Sequence, residues 1–124
     1  MKEILLVGAG SFVGGSLRYV VSKLIQQYAE GGFPLGTMAV NVIGCLIMGL
    51  LSGLNWPGGI MSPASKLFLT TGLCGGFTTF STFMNESVAL SNNANYTLML
   101  LYMFGSLALG FTAVLVGYWL AKLL

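Results

Sequence analysis

Four long apolar stretches constrain this chain more than any other feature: Ile4 to Gln27, Leu35 to Leu54, Pro63 to Leu90, and Tyr96 to Ala121. Each reaches the ~20 residues that a helix needs to cross a hydrocarbon core of ~30 Å. The segments between them, YAEGGFP, NWPGGIMSP and SNNAN, have turn chemistry. Ser62-Pro63 reads as an N-cap followed by proline at the first helical position. The expected fold is therefore all-α and integral to a membrane, with four transmembrane helices in one domain spanning residues 1–124. An even number of spans places both termini on the same side. Composition agrees, since 56% of residues are hydrophobic and only 6% are charged. Three acids and five bases cannot cover the surface of a soluble domain, where about a quarter of residues carry charge.

The same composition excludes several functions. A net charge of +2, scattered along the chain, gives no footprint for nucleic acid. There is no histidine, which removes the commonest general base and the commonest zinc ligand. The three acids are the scattered Glu3, Glu30 and Glu86, so an embedded metal-dependent or acid–base enzyme lacks its parts. Cys45 and Cys74 lie in apolar segments and read as small packing residues, not as a disulfide. The opening ILLVGAGSFVGG imitates a dinucleotide-binding start, but Val13 stands where glycine or alanine is needed, and Glu30 lies in a glycine-rich loop. Its apolar run continues beyond Leu24, so it is expected to be a first membrane helix and not a cleaved leader. The triplets Asn85-Glu86-Ser87 and Asn95-Tyr96-Thr97 fall in or against a helix and read as chance glycosylation matches.

Polar residues inside the apolar stretches are the candidate functional groups. The third stretch contains TTGLCGGFTTFSTF, Thr70 to Phe83, with three glycines and six threonine or serine residues. Gly72, Gly75 and Gly76 weaken a helix there, and broken backbone in a membrane is tolerable only where protein or a cavity surrounds it. Carbonyls freed by such a break can bind cations. The alternative is a continuous helix flecked with polar residues. Asn41 sits in mid-helix with Thr37 a turn before and Gly44 and Cys45 a turn after. It either faces an aqueous path or bonds a neighbouring helix. Phe80 and Phe83 share a face that Glu86 continues, with Ser81 and Thr82 between them. Such rings can serve lipid packing, or can turn their positive edges to an anion. Tyr102 and Ser106, one turn apart, offer hydroxyl donors. Arg18 can snorkel to the interface or hold a carbonyl cluster. Gly10/Gly14 and Gly49/Gly53 have the GxxxG spacing that lets helix backbones approach.

Taken together, GGSLRY at Gly14 to Tyr19, GTMAVNVIG at Gly36 to Gly44 and GLCGGFTTFSTF at Gly72 to Phe83 resemble the fluoride channels called Fluc, or CrcB, over almost the whole chain. The resemblance implies a passive fluoride-selective channel in a bacterial inner membrane, built as an antiparallel dual-topology homodimer whose third helix is broken near mid-membrane. It implies pore roles for Asn41, Phe80 and Phe83, a polar track of Ser81, Thr82, Tyr102 and Ser106, and a vestibule acid at Glu86. It also implies a structural sodium ion at the dimer centre, held by backbone carbonyls of Gly75 and Thr78. One departure is Gly110, where some members of the family carry a further serine. The nearest rival, a small dual-topology multidrug transporter, relies on a carboxylate buried in its first helix. Here Glu3 is expected to precede that helix.

Lys2, Lys66 and Lys122 fall on the terminal side, and Lys23 with Arg18 toward the other. This is too even a split for the positive-inside rule to choose one orientation. Reporter fusions at the C-terminus should therefore give signal on both sides of the membrane, whereas one clean orientation would contradict an antiparallel pair.

Overall fold

The computed structural model describes residues 1–54 and 62–123, and these form an all-helical chain. Most of the expected NWPGGIMSP loop lies outside the described residues. Three helices are long and apolar enough to cross a membrane: α1 (Lys2–Gln26), α2 (Leu35–Gly53) and α6 (Tyr96–Lys122). The third apolar stretch is divided into α3 (Pro63–Leu67), a π-helical segment (Phe68–Cys74), α4 (Gly75–Phe77) and, beyond a non-helical link, α5 (Ser81–Asn92). At ~1.5 Å per residue its halves run to about 22 Å and about 18 Å, each short of a ~30 Å hydrocarbon layer.

Local chemistry sets the helix ends. The Ser62 hydroxyl accepts the Ser65 N–H at 3.1 Å, with Pro63 opening the helix behind it. Gly31 and Gly32 turn the chain between α1 and α2 with φ of 71° and 79°, a region glycine enters without steric cost. Gln26 locks that turn, donating to the Phe33 carbonyl at 3.0 Å and accepting the Gly36 N–H at 2.8 Å. Contrary to the expectation that it precedes the first helix, Glu3 lies in the first turn of α1. There its side chain is 77% exposed and pairs with the N-terminal amine, so the helix still lacks a buried carboxylate.

The helices associate as two closely packed pairs. α2 lies along α6, and α1 lies along the π-helical segment and α4. Both pairs use glycine to bring backbones together, which in lipid replaces the missing hydrophobic drive between helices. A Cβ at Gly49 would collide with the Val114 carbonyl, and one at Gly117 with the Leu46 carbonyl. On the other pair, a Cβ at Gly10 would stand 2.6 Å from the Phe68 carbonyl, one at Gly14 would strike the Leu73 carbonyl, and one at Gly76 would meet the Ser11 carbonyl at 2.8 Å. Each GxxxG pair thus has a definite partner inside the chain. Outward-facing residues such as Phe12, Phe104, Phe111 and Trp119 are large, apolar and exposed, as lipid or a second protein surface would require.

Gly49→Ala and Gly8→Ala should consequently have opposite effects. Gly8 has nothing within 4 Å of its added methyl and stands to gain up to about 1 kcal/mol of helix propensity. Gly49→Ala should cost at least about 1–3 kcal/mol by forcing α2 off α6. Thermal unfolding of the two purified variants in detergent checks the difference in sign.

Candidate functional site

The break in the third stretch lies at Thr78–Phe80, two residues past the glycines expected to cause it. Gly72 and Gly76 are instead used as bare backbone against α1. Thr78 takes an extended conformation, φ −91° and ψ 160°, and the two threonines supply alternative hydrogen bonds, as such side chains do where they compete with a helix. Thr78 Oγ1 donates to the Cys74 carbonyl at 3.0 Å, and Thr79 Oγ1 accepts the Thr82 N–H at 3.3 Å, capping the start of α5. Gly44 on α2 leaves the space that the Thr78 methyl occupies.

Two side chains from neighbouring helices hold this link. Asn41 on α2 grips Thr79 twice, accepting its N–H at Oδ1 (2.8 Å) and donating from Nδ2 to its carbonyl (3.0 Å). In a continuous helix that N–H would have gone to the Gly75 carbonyl, so the Asn41 grip releases Gly75 from the helical ladder. Arg18 on α1 donates from Nε to the Gly76 carbonyl at 3.0 Å. The carbonyl-holding reading of Arg18 is the one the structure displays, and Asn41 makes a helix–helix bond directed at main chain. Its second amide hydrogen remains for the space beside it.

That space is an open cavity of about 740 Å³ between α2, the break and α6. Asn41, Gly75, Thr78, Phe80, Phe83 and Ser106 all line it. Phe80 is 71% exposed, while Phe83 is only 6% exposed, so the two rings do different structural work. They meet edge-on at 6.3 Å and 62°. Phe83 in turn meets Tyr102 at 5.0 Å and 67°, and Phe33 meets Tyr102 at 5.6 Å and 82°. Edge-to-face contact presents the positive rim of one ring to the face of the next. Ser106 Oγ is buried without a hydrogen-bond partner among the described residues, a donor left over in a cavity wall. Gly110, a turn further along α6, also lines the cavity, and so ends the hydroxyl row at Ser106.

Not every candidate residue gathers there. Tyr102 and Glu86 form a second cluster behind Phe83: the fully buried Tyr102 donates its phenol hydrogen to Glu86 Oε1 at 3.0 Å. Ser81 is exposed and Thr82 half-buried, and neither lines the cavity. Within one chain, Ser81, Thr82, Tyr102 and Ser106 are therefore not a single row. Thr79 and Phe33 escaped the sequence reading. No pattern marked Phe33, whereas Thr79 stood in a run of hydroxyl residues. Among the described residues no group of three His, Cys, Asp or Glu can hold a metal. A hard cation, which prefers oxygen ligands, would depend on main-chain carbonyls such as those of Gly75 and Thr78.

Asn41→Ala should leave both polar groups of Thr79 unpaired in an apolar setting and cost about 1–3 kcal/mol per orphaned group. Faster amide exchange at Thr79, with α6 unaffected, would register the lost grip. Unchanged protection would show that the break is held some other way.

Comparison with known proteins adds a family. Residues 5–118 match the family described as CrcB-like protein, Camphor Resistance (CrcB). The fluoride-specific ion channel FluC of Chlorobaculum tepidum is 46% identical over 123 residues, covering 99% of this chain and 97% of the relative. The protein of that name from Chlorobium phaeobacteroides is 43% identical over 120 residues, covering 97% and 93%. That from Phocaeicola vulgatus is 41% identical over 122 residues, covering 98% and 100%.

Proposed function

The chain belongs to the CrcB family, and from this membership and the geometry of the break we propose that it is a passive fluoride channel. One observation carries the reading. A helix broken inside an apolar protein exposes hydrogen-bond donors and aromatic edges to an open cavity, in a multi-pass membrane protein whose relatives are named fluoride-specific ion channels.

Fluoride is small and tightly hydrated, so a conducting path has to replace its water with donors and positive ring edges. The free amide hydrogen of Asn41, the unpartnered Ser106 hydroxyl and the edges of Phe80 and Phe83 are such groups. On the resemblance to the family, Tyr102, Ser81 and Thr82 are assigned to the rest of the polar track and Glu86 to its vestibule, with Tyr102 and Glu86 already bonded at 3.0 Å. No lysine or arginine lies among the cavity-lining residues, which favours passage over retention, because conduction needs sites that release the ion. Hydrofluoric acid enters cells as the neutral molecule and ionises at neutral pH. A passive anion channel in a bacterial inner membrane would let the trapped fluoride leave and so lower its toxicity.

The open cavity supports an antiparallel homodimer. Its rim carries the exposed Leu107, Phe111 and Leu115 beside the break, and a second copy inserted the other way up would close it over the ion. The two halves of the third stretch together would then complete a fourth span. In that dimer the Gly75 and Thr78 carbonyls of both copies are suited to a structural sodium ion. Gly75 has lost its helical donor and Thr78 is extended, and both residues border the cavity that the second copy would share. The ion would supply fixed positive charge that draws together two unwound segments. The multidrug-transporter alternative is not favoured, because the one acid of α1, Glu3, is exposed at the helix end.

Phe80 tests the pore most cleanly, since its ring is largely exposed and its loss spares the core that Phe83 shares with Tyr102. Phe80→Ile should leave the folded dimer intact and slow fluoride release from proteoliposomes at least about tenfold, which corresponds to about 1.4 kcal/mol of lost stabilisation. Release is read with a fluoride electrode after a potassium ionophore is added. A wild-type rate from the folded variant would place the pore elsewhere.

A further inference from the structure

Arg18 is the one charged side chain of α1 between Glu3 and Lys23, and it points at the break. Its partner there is the Gly76 carbonyl, 3.0 Å from Nε. Among the described residues no acid forms an ion pair with Arg18. A guanidinium in an apolar helix is costly and is retained where it serves a particular contact. The contact is prepared by the sequence around it. Gly10 and Gly14 press α1 onto the π-helical segment and α4, and Arg18 follows Gly14 by one turn. Gly15 faces the same contact but is not needed for it, since an added Cβ there would meet the guanidinium at 3.9 Å and the Gly76 carbonyl at 4.0 Å, ordinary van der Waals distances.

The break is thus gripped from two sides, by Arg18 at Gly76 and by Asn41 at Thr79. Gly76 packs on α1 and is absent from the cavity wall, whereas Gly75 and Thr78 both border the cavity. With Gly76 and Thr79 pinned, Thr78 between them and Gly75 directly before the first pinned point have little freedom to turn their carbonyls away.

We propose that Arg18 is a positioning residue that fixes the broken backbone from behind, so that the Gly75 and Thr78 carbonyls stay gathered for a cation. This inference rests on the sodium site proposed above. It makes a prediction opposite in sign to a purely electrostatic role. A positive charge near a cation site repels the cation, so removing it by Arg18→Met would lower the sodium requirement if charge were all that mattered. A clamp does the reverse. Arg18→Lys keeps the charge but lacks the rigid planar fork, and should behave like Arg18→Met if positioning dominates.

Two readouts on the purified dimer decide the matter. Hydrogen exchange should accelerate roughly tenfold or more across residues 74–82 in both variants, as one charge-assisted hydrogen bond is lost, while Tyr102–Ala113 exchanges as in the wild type. Fluoride release assayed over a sodium series, with N-methylglucamine as the replacement cation, should then need roughly tenfold or more sodium for half its maximal rate. Unchanged exchange at 74–82 would overturn the clamp. Accelerated exchange with an unchanged or lowered sodium requirement would overturn its link to the cation. A wild-type protein indifferent to sodium would count against the cation site itself, and the exchange result would still decide whether Arg18 holds the break.

Discussion

Inside a hydrocarbon layer, main-chain N–H and C=O groups have no water to turn to, and an unsatisfied group costs several kcal/mol. The link at Thr78–Phe80 violates the simplest solution to that problem, an unbroken helix, and the surrounding architecture answers the violation. Asn41 replaces the bonds that Thr79 forgoes, Arg18 replaces the donor that Gly76 loses, and the Thr79 hydroxyl caps the restarted helix. Gly10 and Gly14 of α1, with Gly72 and Gly76 of the third stretch, let the two backbones approach closely where Arg18 reaches the Gly76 carbonyl. The Ser106 hydroxyl, which has no partner among the described residues, borders the open cavity, as do Gly75 and Thr78.

The division of labour between the two phenylalanines follows from the same geometry. Phe83 belongs to the packed core with Leu90 and Tyr102, and transmits the position of α5 to α6. Phe80 stands at the mouth of the break, exposed, in edge contact with Phe83. A rigid ring supported by another ring can offer its edge to an anion without first being reorganised. Tyr102 extends the line of edges to Phe33 and anchors Glu86 through its hydroxyl. Glu86 is thereby held by a buried phenol.

Much of this was legible in the residues. Apolar runs of membrane length located α1, α2 and α6, because in lipid every face of a spanning helix is apolar and length alone is a strong signal. Ser62-Pro63 marked a helix start whose cap is formed. Asn41 and Arg18 stood out as isolated polar groups in apolar helices. What the residues could not reveal was which carbonyls they reach, since those contacts cross 38 and 58 positions of chain. The glycines misdirected the expected break for a physical reason. Glycine weakens a helix and also permits close packing, and here packing prevailed at Gly72 and Gly76 while β-branched Thr78 and Thr79 opened the backbone. The resemblance to the Fluc family assigns Tyr102 and Ser106 to one polar track; in the folded chain Tyr102 bonds Glu86 while Ser106 borders the cavity.

With no other protein present, this chain should form a path that fluoride crosses and chloride does not. Purified protein reconstituted into liposomes loaded with equal fluoride and chloride, and polarised with a potassium ionophore, tests it directly. Fluoride should leave much faster than from empty vesicles while chloride stays inside at the leak rate of empty vesicles. Parallel release of both anions, or retention of fluoride by vesicles holding well-folded protein, would contradict the account.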